Sequence, residues 1–341
     1  MKKIKVGFDI SQLAHSGGVA TYVDNLTREL SKLDDLEMVY FYSSMRKAYS
    51  GSLKNVRKHK LPPTLFEVLF NKIRNVGIEK FIGEVDVFHS SDWVQPPTKA
   101  KTVTTYHDVI PLKYPEWSEP KIVAVHKRRL ELVEREVDLV IAVSEATKKD
   151  LLEISKIPEE KIVVIYEAAS EQFKPQDKKM VEQFRKDKNL PERFILAIGG
   201  RGNRRNLARV KKAAKGYDLV ITGETIPLVS SEELSLLYSA AEVLLYPSLY
   251  EGFGLPILEA MGTGVPVITA NVSSMPEIGG EAAVYVDPEN LEDIEKKLKQ
   301  LMEDKKLREE LVKKGFEQAK KFSWKRAAGE TAKTYQRVME G

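Results

Sequence analysis

Cysteine is absent from the 341 residues, which excludes a disulfide framework, a cysteine-based zinc site and thiolate catalysis. No run approaches the roughly 20 apolar residues of a membrane-spanning helix. The opening MKKIKVGFDI leads two lysines straight into an alternating strand pattern, without the apolar region and cleavage site of a secretory leader. A cytoplasmic protein is therefore expected, with the inner membrane surface as the alternative. An excess of one charge sign is lacking as well: 54 basic against 50 acidic side chains leave +4, too little for a general attraction to nucleic acid. No Asp-x-Asp motif and no cluster at metal-ligand spacing occurs, so chemistry without a metal or other cofactor is expected. Internal repeats and low-complexity tracts are missing too.

What is present is a globular mix, 42% hydrophobic and 30% charged, in a chain long enough for two domains. Short β-branched runs alternate with longer helical patterns, the sign of parallel sheets with crossover helices and hence of an α/β fold. In the first half the strands are read at Ile4–Ile10, Met38–Tyr42, Val85–His89, Lys101–Tyr106, Leu139–Val143 and Ile162–Ile165. Helices lie at Ala20–Lys32, Lys121–Val137 and Glu145–Ile154, the last capped by Ser144. The second half restarts with Phe194–Ile198, Asp218–Thr222, Val243–Tyr246, Val265–Thr269 and Ala283–Val286. A long charged helix over Asn290–Lys321 and a last one over Trp324–Glu340 follow. The charged stretch Phe173–Pro191 separates the two strand sets, so the linker is placed just before or within it. Lys54–Lys60 with Thr64–Phe81 is basic and amphipathic, and is read as packed in the first core or, alternatively, docked on a membrane surface.

The sharpest motif is Tyr246-Pro-Ser-Leu-Tyr-Glu-Gly-Phe-Gly-Leu-Pro-Ile-Leu-Glu259: a strand, a glycine-rich turn and a helix, followed by another strand. Gly252 and Gly254 let the backbone approach a ligand, Pro256 is tolerated in a first helical turn, and exposed amides there favour a phosphate. Glu251 in the loop and Glu259 about two turns along the helix give two carboxylates, one able to face a sugar and the other to accept from a ribose. Glu259 as a solvated helix residue is the plainer alternative.

These residues resemble family 4 of the retaining glycosyltransferases, whose signature is a pair of glutamates at this spacing (259 − 251 = 8). The resemblance covers nearly the whole chain. It implies a GT-B architecture, two Rossmann-like domains facing across a cleft: 1–170 on the acceptor side, 171–322 for the nucleotide-sugar, and 323–341 as a helix returning to the first domain. By that resemblance Glu251 contacts the donor sugar, Phe253, Gly254 and Leu255 line the donor with Phe253 and Gly254 lending backbone amides, and Glu259 holds the ribose. Gly199-Gly-Arg-Gly-Asn-Arg-Arg-Asn206 is similar to the loop that grips the donor pyrophosphate. Arg205 falls on the family's lysine and Arg201 replaces its arginine, displaced by Gly200; Gly199, Gly200 and Asn206 join the donor site. Cations here stabilise the departing diphosphate more than the bound donor.

Thr105-Tyr-His-Asp-Val-Ile-Pro111 resembles the family's His-Asp-x-x-Pro stretch and nominates His107 to face the donor sugar, with a structural histidine as the alternative. Asp108 is read as a cap. Gly17 and Gly18 resemble the family's glycine loop, which implies a place where acceptor and diphosphate approach. His89–Asp92 and Val143–Ala146 resemble strand ends that line the cleft. The second domain is compressed: between Asn206 and Tyr217 only a short helix fits, and Gly223 runs almost directly into Ser230. Part of the family's nucleobase pocket is thereby missing, and the shortened sheet has an edge that a second subunit in a homodimer would cover. The expected function is retaining transfer of a hexose-type sugar from a nucleoside-diphosphate sugar to a glycan or lipid-linked acceptor. A catalytically degenerate nucleotide- or glycan-binding scaffold is the alternative, and a phosphorylase or epimerase of the same fold ranks last.

Overall fold

The computed structural model describes residues 3–90, 93–200 and 202–341. The chain forms two units, Met1–Glu167 with Trp324–Gly341, and Ala168–Ser323. Among the described residues the first unit carries β1 (Ile4–Asp9), β2 (Leu36–Ser43), β3 (Val56–His59), β4 (Val87–Ser90), β5 (Lys101–Tyr106), β6 (Leu139–Ala142) and β7 (Ile162–Val164). They form one parallel sheet in the order β3-β2-β1-β4-β5-β6-β7. Val6 on β1 stands opposite Met38 and Val87, and Val103 on β5 opposite His89 and Leu139. The central strands β1, β4 and β5 are buried along most of their length because helices cover both faces of such a sheet, even where they carry Thr, His or Ser. The helix Gly18–Leu30 buries Tyr22, Val23, Leu26 and Leu30 at helical spacing. Ser144 caps Glu145–Ile154 by accepting from the Thr147 amide.

The basic stretch at Lys54–Lys60 is corrected by the structure: it is no part of an amphipathic helix but contains β3, at the edge of the sheet. Arg57 and Lys58 are exposed while Val56 and His59 turn partly inward, a charged edge of the kind that discourages pairing with other chains. The following segment packs in the core. Phe66 and Phe70 lie against Phe41 of β2 at ring distances of 5.0 and 6.3 Å, and Phe81 closes the cluster. The turn Glu67–Ile73 is a π-helix, wider than the sequence pattern specifies. No helix among the described residues is long and apolar enough to cross a membrane.

The second unit carries β8 (Ile195–Ala197), β9 (Leu219–Ile221), β10 (Val243–Tyr246), β11 (Val267–Ala270) and β12 (Ala283–Val286), parallel in the order β12-β11-β10-β8-β9. Between β8 and β9 the described residues form the 3-10 turn Asn203–Arg205 and the short helix Leu207–Ala213. The edge strand β9 is three residues long, and beyond it Thr222 pairs with Ile226. The boundary between the units, Glu167 to Ala168, falls just before the stretch Phe173–Pro191 and not within it, since Lys178–Asp187 is a helix of the second unit that buries Val181 and Phe184. The single helix expected over Asn290–Lys321 is corrected to two, Leu291–Glu303 and Lys305–Ala319. Asp304 leaves helical geometry (φ −92°, ψ 92°) and its carboxylate accepts from the Leu307 amide, so it caps the second helix. The break lets Leu298, Leu301 and Leu311 share one core.

Candidate active site

In the second unit the site grows from the carboxyl ends of β8 and β10. After β10 the chain turns through Pro247–Gly254 into the helix Leu255–Thr263. Gly254 precedes that helix at φ +104°, a left-handed conformation in which a side chain would be strained, and Pro256 follows in the first turn. The loop is pinned from β11: the Ser273 and Ser274 hydroxyls donate to the Glu251 carbonyl, and Ser274 also lies 2.7 Å from that of Phe253.

Glu251 is only 6% exposed at its side chain, and both of its oxygens accept from arginines. Arg205 Nη1 lies 2.6 Å from Oε1 and Arg204 Nη1 2.9 Å from Oε2. Both arginines stand on the 3-10 turn Asn203–Arg205 that follows β8. Burial pulls Arg205 below its ordinary value against the opposing effect of Glu251, and a guanidinium starts so high that it stays a cation. Its charge lies 4.9 Å from the centre of the Tyr246 ring, a cation–π contact. Arg201, the other arginine nominated from sequence, lies outside the described residues.

Glu259 points into a different environment. It is buried on the helix Leu255–Thr263 and accepts from the Tyr238 hydroxyl at 2.9 Å. Burial raises its pKa to about 7, against the lowering pull of Tyr238 and Arg205. A solvated helix residue it is not. Phe253 and Leu255 are both buried in the same turn.

Two residues nominated for the donor have structural work as well. Gly199 is required because a β-carbon there would fall 1.9 Å from the Thr222 carbonyl oxygen. The Asn206 side chain donates to the carbonyls of Pro247 and Pro288, at 3.0 and 2.7 Å, and so ties the arginine turn to the acid loop. Gly200 has no such neighbour; the nearest atom is the Arg205 stem at 3.4 Å.

In the first unit His107 follows β5, and its Nδ1 is 2.9 Å from Glu167 Oε1. The Tyr22 ring meets it edge-on at 4.5 Å. The end of β5 is fixed from beneath by buried Arg129, whose Nη2 donates to Thr104 and to the Thr105 carbonyl. Asp108 accepts from the Ile110 amide and is a loop cap, as expected. Gly17 takes φ +116° at the start of the helix Gly18–Leu30.

His89 lies inside the first unit. It is buried between Tyr335 Oη at 2.7 Å and Thr105 Oγ1 at 2.8 Å, and burial lowers its pKa to about 3, so it is neutral. Ser144 is equally buried in its cap, and Asp92 lies outside the described residues. Sequence reasoning missed Arg204, Tyr238, Glu167 and Tyr22. Arg204 was inside a quoted motif, but nothing in the residue types says which of two adjacent arginines reaches an acid. Glu167 and Tyr238 carry no local signature.

The family model for glycosyl transferases group 1 matches residues 147–318, half of the chain, and that for Glycosyltransferase Family 4 matches residues 16–171. The chain belongs to the glycosyl transferases group 1. Transfer of a sugar is thus the class of reaction of this glycosyltransferase. It is 28% identical to O-antigen chain mannosyltransferase B of Escherichia coli over 73% of its own length and 74% of that protein's. It is also 28% identical to the serotype-specific mannosyltransferase WbdA of Escherichia coli over 67% of its length, spanning about a third (32%) of that longer protein. Among solved structures, sucrose-phosphate synthase from Thermosynechococcus elongatus superposes with a TM-score of 0.78 at 20% identity, covering 99% of this chain and 100% of that one. Anabaena HepE in complex with UDP-glucose gives 0.71 at 14% identity, covering 98% and 100%. These likenesses establish the GT-B fold of the glycosyltransferase.

Proposed function

We propose that this glycosyltransferase moves a hexose, with mannose the first candidate, from a nucleoside-diphosphate sugar to a glycan or lipid-linked acceptor, with retention of anomeric configuration and without a metal. The single observation that carries the reading is the convergence of Arg204 and Arg205 on Glu251, beside the turn that opens the helix of Glu259. Two guanidiniums against one carboxylate leave net positive charge where a diphosphate develops negative charge as it departs, which is where stabilisation accelerates a reaction. The chain's own cations thus take the part a metal plays elsewhere. Each Glu251 oxygen keeps a second lone pair, so it can accept from sugar hydroxyls while holding the arginines.

In the reaction the acceptor oxygen bonds to the anomeric carbon on the face from which the diphosphate leaves. The breaking carbon–oxygen bond gives its electron pair to the diphosphate, and the acceptor's proton passes to a phosphate oxygen of that leaving group. His107 and Glu251 orient the sugar, Glu259 receives the ribose, and Phe253 and Gly254 offer amides. Glu167 is a positioning residue for His107. The mannosyltransferase names of the relatives support the sugar, the UDP-glucose complex of HepE supports a nucleotide-sugar donor, and the O-antigen relative supports a role in polysaccharide biosynthesis.

The test is turnover of GDP-mannose and UDP-glucose, in the presence of EDTA, with mannosides as acceptors and the product anomer read by NMR. We expect an α-linked product from an α-linked donor. Arg205→Ala and Glu251→Ala should each lower kcat by about 100-fold or more without unfolding, the scale of losing one transition-state donor. An inverted product, full dependence on a divalent ion, or unimpaired turnover in either variant overturns the corresponding part.

A further inference from the structure

The first unit contains a cavity of about 560 Å³, within the ordinary range for small-molecule sites. Its lining divides by element. The end of β1 and the loop after it supply polar groups, Asp9 and Gln12 among them, and the backbone of Gly17 and Gly18, whereas β2, the segment from Thr64 and the helix Pro120–Glu136 supply most of the apolar side chains, with Glu67 and Lys121 as charged exceptions. Phe41, Phe66, Val94, Ile122 and Val125 form that apolar part, joined by Val19. A glycan lying against this apolar part would set hydroxyls against hydrocarbon that cannot bond them, at a cost a saturated or prenyl chain does not incur there. Large apolar side chains are also exposed beside the cavity: Trp93, which lines it from the loop after β4, is 37% exposed, and Leu65, next to the lining residue Thr64, 38%. Exposed aromatic and aliphatic groups beside an apolar cavity suit an amphiphile entering tail first.

We propose that this cavity takes the hydrocarbon portion of an amphiphilic acceptor, whose sugar end lies toward Gly17 and Gly18. The placement of the sugar end rests on the transferase reading above; the binding of the chain does not.

Calorimetric titration of the full chain with methyl, hexyl, octyl and decyl α-mannopyranosides, each below its micelle concentration, tests the idea. Affinity should rise about two- to fourfold per methylene until the cavity is filled, at one ligand per chain. Ile122→Trp, which fills the cavity from the first turn of its helix, should cut the advantage of octyl over methyl by at least about tenfold. Val125→Phe serves as a second filling variant should the first fail to fold, and thermal melting reports folding. Equal affinity for methyl and octyl mannosides, or a chain-length gain that both folded variants retain, overturns the proposal. Transfer measured alongside separates the two readings. Equal KM for methyl and octyl acceptors keeps the transferase and removes the cavity's role, while graded binding without transfer from any nucleotide-sugar supports the cavity and overturns the transferase roles.

Discussion

Glu251 and Glu259 stand eight residues apart, yet the turn between them sends one to two arginines and the other to a tyrosine. Only Glu259 is left without a direct cationic partner in a buried setting, which is why its pKa rises to about 7. The sign for stability follows. The folded state binds this proton more tightly than the unfolded chain, so the protonated carboxyl stabilises fully at low pH and that contribution is lost as pH climbs toward and through about 7. Between pH 5.5 and 8.5 the loss should amount to about 2 kcal/mol. Glu259→Gln should flatten the fall of melting temperature over that interval, and an identical slope in both proteins would contradict the assignment. At His107 the question is orientation. Replacing Glu167 by Gln keeps size and an acceptor but turns a charge-assisted hydrogen bond into a neutral one, a difference of about 1.4 kcal/mol. We expect kcat about tenfold lower with donor KM little changed; a change confined to KM would show that Glu167 shapes binding and not the poise of His107.

Elements were legible where burial is continuous and unread where it is not. β6 and β10 fall on the apolar runs read at Leu139–Val143 and Val243–Tyr246 and are buried throughout, since strands between two helical layers need apolar side chains on both faces. β3 escaped because an edge strand with exposed Arg57 and Lys58 shows no such run. The break at Asp304 escaped because charged residues continue across it, and only its cap geometry betrays it. At the site, the glycine and proline punctuation located the acid loop, but the arginine that joins Arg205 and the histidine's carboxylate depend on contacts 47 and 60 residues distant in sequence. The Asp304 break has a test whose sign decides. In a continuous helix, Asp304→Ala would raise stability through helix propensity. As a cap bonded to the Leu307 amide, its loss should instead lower stability by about 1 kcal/mol in urea unfolding.

At the scale of the whole molecule, the chain leaves its first unit at Glu167 and comes back to it at Trp324. The returning helix Trp324–Glu340 buries Trp324, Ala327, Ala328, Tyr335 and Val338 within that unit. The Trp324 ring meets Tyr22 at 5.8 Å, Tyr335 bonds His89 in the sheet, and Arg337 donates to the Glu160 carbonyl. Burial of Trp324, Tyr335 and Val338 alone is worth roughly 5 kcal/mol or more, comparable with the whole stability of a domain. The last 18 residues therefore behave as part of the first fold and not as a tail. Ending the chain at Ser323 should strip the first unit of most of its stability while leaving the second unit's core, built entirely from its own strands and helices, in place. Hydrogen exchange reads this directly: amides of β1 and β4 should lose protection by several orders of magnitude, and those of β10 and β11 should keep it. Equal loss in both sheets would mean that the two units unfold as one, and retained protection in β1 would mean that the helix is dispensable to the sheet it covers.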